Sequence, residues 1–146
     1  MSKQLARGLR NNNPLNIRKN SKVTWQGEIV PGMDQDFCQF DTMAYGFRAA
    51  LKLLRTYYIK YGCVTIRQII CRWAPETENN VRAYLKTVCR LTQIEPDIAL
   101  PPMKEETKIV WRDLVWAMSC VECGLKPGDK EKIVRAIEQG WWLLSS

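Results

Sequence analysis

A chain of 146 residues that is 46% apolar and 25% charged has the balance of one ordinary globular domain with a single core, and holds no run near the ~20 apolar residues of a membrane span. It contains no histidine. That absence removes Ser-His-Asp and Cys-His nucleophiles and His-ligated catalytic zinc, and leaves acid–base chemistry to carboxylates, Lys, Tyr or Cys.

The net charge of +7 is uneven. Residues 1–72 carry twelve Lys/Arg against four acids, and residues 73–146 carry ten against eleven. A basic half predicts an anionic partner: nucleic acid, anionic lipid or the carboxylate- and phosphate-bearing cell envelope. The first residues, MSKQLARGLRNNN, lack the apolar stretch of a secretory signal, so reduced, mainly structural thiols are expected for the six cysteines. Cys120 and Cys123 have CxxC spacing without a second pair. No metal and no cofactor are predicted.

Residues 8–16 (GLRNNNPLN) are dense in turn formers and read as an irregular loop. Ile17-Arg18, Val23–Gln26, Glu28–Val30 and Phe37–Phe40 are short alternating segments, with a turn at Pro31–Asp34. They predict a small antiparallel β-ribbon. From Asp41 the period becomes helical. Phe47, Ala50, Leu51, Leu54 and Tyr58 share one face up to a stop at Gly62. Thr65–Gln68 has the form of a capping box, opening a second helix through Ile66, Ile69, Ile70 and Trp73 that ends at Ala74-Pro75. Asn79 or Asn80 caps a third, with Val81, Tyr84, Leu85 and Val88 inward. Residues 104–121 form a fourth, and Asp129 caps a fifth. The prediction is an α+β, mostly helical single domain over 1–146. It has a polar-loop and β-ribbon lobe at 1–40 and a lobe of about five helices at 41–146.

The string Asn11-Asn12-Asn13-Pro14-Leu15-Asn16-Ile17-Arg18 resembles the Asn-Asn-x-x-x-Ile-basic segment of the lysozyme-like glucosaminidases that serve as autolysins and flagellar muramidases. Trp25-Gln26-Gly27, Phe37–Phe40 and the Phe47–Leu54 helix then follow in that family's order. The longer pattern GLRNNNPLNIR, WQG, FCQF, YGFRA and RWAPETEN, over about residues 7–91, is similar to small phage and prophage proteins described as virion or lysozyme-like proteins. The resemblance implies a lysozyme-like fold and bacterial peptidoglycan as ligand. It also departs from the family. The glucosaminidases carry their general acid on a helix just before the Asn-Asn segment, whereas the ten residues before Asn11 contain no Glu or Asp.

Glycoside cleavage needs a carboxylic acid near the scissile oxygen. Glu28, next to Trp25-Gln26-Gly27, is one candidate. Its plainer reading is a solvated ribbon residue. Glu78, in the Trp73–Asn79 loop, is the other, against a plain role with Glu76 and Asn79 in capping a helix. Asp34 and Asp36 read as turn residues. Asn12, Asn13, Asn16, Gln26 and Asn79 have amides that bind sugar hydroxyls and N-acetyl groups, or that tie their loops together. Trp25 and Trp73 have rings that stack on sugars or pack in the core. The C-terminal tryptophans are assigned to packing or to a partner surface.

The function these features predict is a phage- or prophage-derived, lysozyme-like protein acting on peptidoglycan by glycan-strand hydrolysis or binding, with enzyme activity favoured but unassigned to one acid. The alternatives are a non-catalytic virion structural or wall-binding protein and, more remotely, a nucleic-acid binder, which lacks a helix-turn-helix or RNP-type signature. The predicted partners are peptidoglycan or another anionic envelope polymer and other virion proteins, with no membrane span. Such a protein is made in the bacterial cytoplasm and reaches the wall after lysis, by export or within a virion.

Overall fold

In the computed structural model, residues 5–74 and 77–144 are described. Six α-helices follow in order: α1 (Arg7–Arg10), α2 (Met43–Tyr61), α3 (Ile66–Trp73), α4 (Glu78–Thr92), α5 (Lys108–Cys123) and α6 (Lys130–Leu144). Single 3-10 turns at Glu105–Thr107 and Pro127–Asp129 lead into α5 and α6.

The helix ends follow local chemistry. Thr42 Oγ1 accepts from Tyr45 N at the start of α2, and Gly62 closes it in the left-handed region at φ 65°. Thr65 and Gln68 form the reciprocal capping box of α3. α4 departs from expectation: Thr77, not Asn79 or Asn80, caps it, with its hydroxyl accepting from Asn80 N at 3.1 Å. Thr77 is extended, so the helix begins one residue later at Glu78. Asp129 stands at the end of the 3-10 turn directly before α6, its carboxylate accepting from Lys126 N at 2.9 Å.

α2 buries Phe47, Ala50, Leu51 and Leu54 and packs chiefly on α6, while α5 packs on α4 and α6. Every residue of α5 from Leu114 to Ser119 is buried. It is therefore a central helix covered on all sides, where a single apolar stripe would cover only one. Trp111 anchors its start. The ring is fully buried and edge-on to Tyr58 at 5.8 Å, and its Nε1 donates to Pro101 O at 3.1 Å. All six cysteines are free thiols, two of them buried (Cys38 and Cys63). Among the described residues no helix is long and apolar enough to cross a membrane.

Two expectations about the N-terminal region fail. Residues 8–16 are not wholly irregular, because Arg7–Arg10 form one helical turn. Its carbonyls are taken by the amides that follow, Asn11 N to Arg7 O, Asn12 N to Leu9 O and Asn13 N to Gly8 O. The β-ribbon is also absent. The described residues hold only isolated bridges, Arg18 with Phe37, Asn20 with Val23 and Glu28 with Phe40.

Side chains occupy the backbone groups that a ladder would use. Asn13 donates to Ile17 O and Cys38 O and accepts from Ile17 N. Asp34 accepts from Asp36 N and Phe37 N, and Gln39 accepts from Met33 N. Pro31 has no N–H to give. Leu15, Ile17, Cys38 and Phe40 still reach the same core as the helices.

A charge clamp closes this region. The Arg7 guanidinium donates to both Asp34 oxygens at 2.6 and 2.7 Å and to Asp36 at 3.1 Å, while Asn11 Nδ2 donates to Asp34 at 2.9 Å. These donors hold the Asp34 carboxyl far below the ordinary carboxylate range. Because it titrates lower in the folded chain than in the unfolded one, its contribution is complete above about pH 4 and fades as the pH falls. Asp34→Asn is expected to flatten the acid side of the stability curve measured by thermal denaturation from pH 6 to pH 2. The buried Asn13 amide is the stiffer constraint. Asn13→Ala strands the Ile17 N–H and the Cys38 carbonyl, while Ile17 O keeps Cys38 N, and is expected to destabilise by about 3 kcal/mol in urea unfolding.

Candidate functional site

A groove of about 780 Å³ runs between the N-terminal loops and the helices. Leu15–Arg18, Trp25 and Phe37 form one wall. The other comes from Leu53 and Tyr57 of α2, Trp73 and Ala74 at the end of α3, Asn80 and Tyr84 of α4, and Val121 and Glu122 of α5. The groove thus combines aromatic faces, primary amides and a carboxylate.

Each wall is fixed by its own contacts. Trp73 Nε1 donates to Leu15 O at 3.3 Å, and its ring meets Tyr57 edge-on at 5.8 Å. The Arg72 guanidinium covers the rings of Tyr57 and Tyr61 at 5.1 and 3.6 Å. Asn16 takes the left-handed conformation at φ 54°, which asparagine tolerates better than most residues. From there its Nδ2 donates to Glu122 Oε1 at 3.0 Å. The Tyr84 hydroxyl is buried, faces the same carboxylate and makes no hydrogen bond of ordinary geometry. Burial, and then the Glu122 charge, push its pKa well above the usual value.

The end of α5 is locked onto the loop next to Glu122. Cys123 Sγ donates to Pro14 O at 3.3 Å, and burial with the neighbouring Glu122 charge pushes the thiol up to about 12. At neutral pH it is therefore a protonated packing group and no nucleophile. Gly8 makes the close approach possible. A Cβ there would stand 2.8 Å from Cys123 Sγ and 2.9 Å from both Asn13 O and Asn16 Oδ1.

Of the residues singled out in the sequence, Asn16, Trp25 and Trp73 come together in this groove. Asn12 and Asn13 turn away from it. Asn12 Nδ2 donates to Phe40 O and Asp41 O, and Asn13 is spent on Ile17 and Cys38. Gln26 is exposed and stands outside the groove wall. Glu28 also stands outside that wall. Its Oε1 accepts from Trp25 N at 3.0 Å, closing a turn, and the carboxylate lies against the buried Cys38 thiol. Glu78 and Asn79 open α4, and their side chains lie outside the described residues. Their neighbour Asn80 lines the groove.

Glu122 was not singled out. A sequence signal exists nonetheless: it is the one acid between Asp113 and Asp129, set at the end of a long neutral run just before the helix-stopping Gly124. A solitary charge closing a buried helix has no solvated face to explain it.

No family model matches the chain. It is 39% identical over 141 residues to Protein P5 of Pseudoalteromonas phage PM2, an alignment that spans 95% of this chain and 84% of that protein. The chain belongs to the P5 family. This kinship links it to a bacteriophage protein, in agreement with the phage origin that the motif order predicts.

The tight packing around Gly8 gives a direct check on how the P5-family groove is held. Gly8→Ala forces Cys123 or the asparagine loop to shift, and is expected to destabilise by about 1–3 kcal/mol in urea unfolding and to alter Trp73 fluorescence.

Proposed function

We propose that this P5-family protein is a lysozyme-like phage protein that binds the glycan strand of bacterial peptidoglycan in the groove lined by Asn16, Trp25, Trp73 and Asn80. The observation that carries this reading is the pairing of aromatic and amide side chains along one open groove. Indole rings offer flat apolar faces to sugar rings, and primary amides both donate to and accept from hydroxyl and N-acetyl groups. Arg18 on the same wall supplies positive charge toward the carboxylates of an anionic wall polymer.

The phage kinship supports a place for the protein in the virion. Near the C-terminus a second, smaller hollow of about 350 Å³ includes Trp141 and Trp142, with Trp142 69% exposed. A large exposed aromatic beside charged residues suits contact with another virion protein.

Sedimentation with purified sacculi tests the binding reading. The folded protein should co-sediment. Trp25→Ala and Trp73→Ala should each weaken binding about tenfold, on the scale of one lost aromatic stack. A folded protein that stays in the supernatant with sacculi of several bacterial types would refute it.

A further inference from the structure

We propose that the Glu122 corner of the groove is a binding site for a primary ammonium group on an amino-acid side chain. The inference goes beyond the glycan reading above, because an N-acetylated glycan strand carries no cation and gives a groove carboxylate nothing of opposite charge to meet. It uses the same groove for a different ligand chemistry, that of a peptide.

Three features meet at this corner. Glu122 is part-buried and is the acid among the described residues that line the groove. Its Oε1 is held by Asn16 Nδ2 at 3.0 Å, and the neighbouring Cys123–Pro14 contact keeps the end of α5 against the loop. The carboxylate is thus fixed in place before any ligand arrives. Trp73 is tied to the residue beside Asn16, its Nε1 donating to Leu15 O, and brings an aromatic face to the same stretch of loop. Tyr84 faces the carboxylate from α4 with a buried hydroxyl that makes no hydrogen bond of ordinary geometry. Burial and the Glu122 charge keep that hydroxyl protonated, so it adds hydrogen-bonding capacity and no charge. A preset carboxylate with aromatic rings beside it is the pairing that receives an ammonium. The apolar surroundings strengthen that attraction relative to water.

The geometry also selects among cations. A divalent metal calls for several oxygen, nitrogen or thiolate ligands. Among the described residues no three acids or cysteines gather to hold one. A guanidinium pairs best with both oxygens of a carboxylate, whereas an ammonium is a compact donor that needs only one. Asn16 already draws on Oε1, so the compact cation fits better. Leu53 and Val121 line the same groove and suit the methylene stem that carries such a group. Arg18, two residues beyond Asn16 on the loop wall, offers the complementary charge to a peptide carboxylate. A peptide that carries both charges therefore meets a partner for each.

The test titrates the purified full chain with Nα-acetyl-lysine amide and, as its uncharged counterpart, Nα-acetyl-norleucine amide, following the indole N–H signal of Trp73 by NMR. The lysine amide should shift that signal and saturate. The norleucine amide should bind at least about tenfold more weakly, the worth of one charge-assisted hydrogen bond. Glu122→Gln keeps the side chain's size and should erase the difference between the two amides. If that variant does not fold, the comparison of the two amides in the wild type still decides. Equal binding of both amides by the wild type, binding of neither, or a lysine preference that survives in folded Glu122→Gln would overturn the proposal. Sacculi then identify where the ammonium comes from. Acetylating their free amines should lower co-sedimentation about tenfold if the peptide branches of the wall polymer fill the site. A lysine preference with unchanged binding to acetylated sacculi keeps the ammonium site and assigns its occupant to a protein side chain. Sacculi that fail to bind both before and after acetylation would fail the glycan reading alone, with the two amides still deciding this proposal.

Discussion

Residues 5–40 hold their shape because one amide, that of Asn13, replaces a strand ladder. It is fully buried and bonds only backbone, giving both its protons to the carbonyls of Ile17 and Cys38 and taking the Ile17 N–H. Segments distant in sequence are thereby joined at one point, and each buried polar group meets a partner of the right kind. The flanking asparagines complete the loop in a way few other residues permit, since Asn12 and Asn16 both sit at positive φ. Asn12 then ties the loop to the start of the α2 region through Phe40 and Asp41. Asn16, left over from this structural work, reaches α5. Of the four asparagines in the string, three are thus scaffold and only Asn16 faces the groove.

Positive charge is organised by the same region. Arg7 and Arg18 both lie over the Phe37 ring, at 4.6 and 4.9 Å, and Arg72 lies over the tyrosines behind Trp73. Stacking on rings gives long, flexible cations a defined place at modest entropic loss. Part of the uneven charge of the sequence is therefore held as oriented guanidinium groups, with Arg18 on the groove wall and Arg72 next to it.

Most of the helical part was legible. Apolar spacing in α2 and α3, the Thr65–Gln68 box and the Gly62 stop each express a local rule, and local rules are what a sequence states directly. The ribbon was misread because alternation of side chains reports exposure, and not whether the backbone partner is another strand or the side chain of Asn13, Asp34 or Gln39. The cap of α4 slipped because Thr77, Asn79 and Asn80 are all good caps and only backbone geometry chooses among them. In the site, the residue types of Asn16, Trp25 and Trp73 marked them out, since aromatics and amides beside turns are suggestive wherever they fall. Glu122 was missed for a topological reason. Its carboxylate reaches the asparagine loop only through the fold, from 106 residues away in sequence.

That separation also bears on how the molecule is made. Asn16–Glu122 and Pro14–Cys123 close loops of 106 and 109 residues. Lengthening a loop adds little to its closure entropy, but contacts of such range follow local helices in time. During synthesis, α3 and α4 emerge and can pair while α5 is still inside the ribosome, whereas α2 awaits α6 and the asparagine loop has nothing to close against. A nascent chain that lacks α5 and α6 therefore has neither the main partners of α2 and α4 nor the groove. The groove is complete only once residue 122 has been added and the two distant stretches have met.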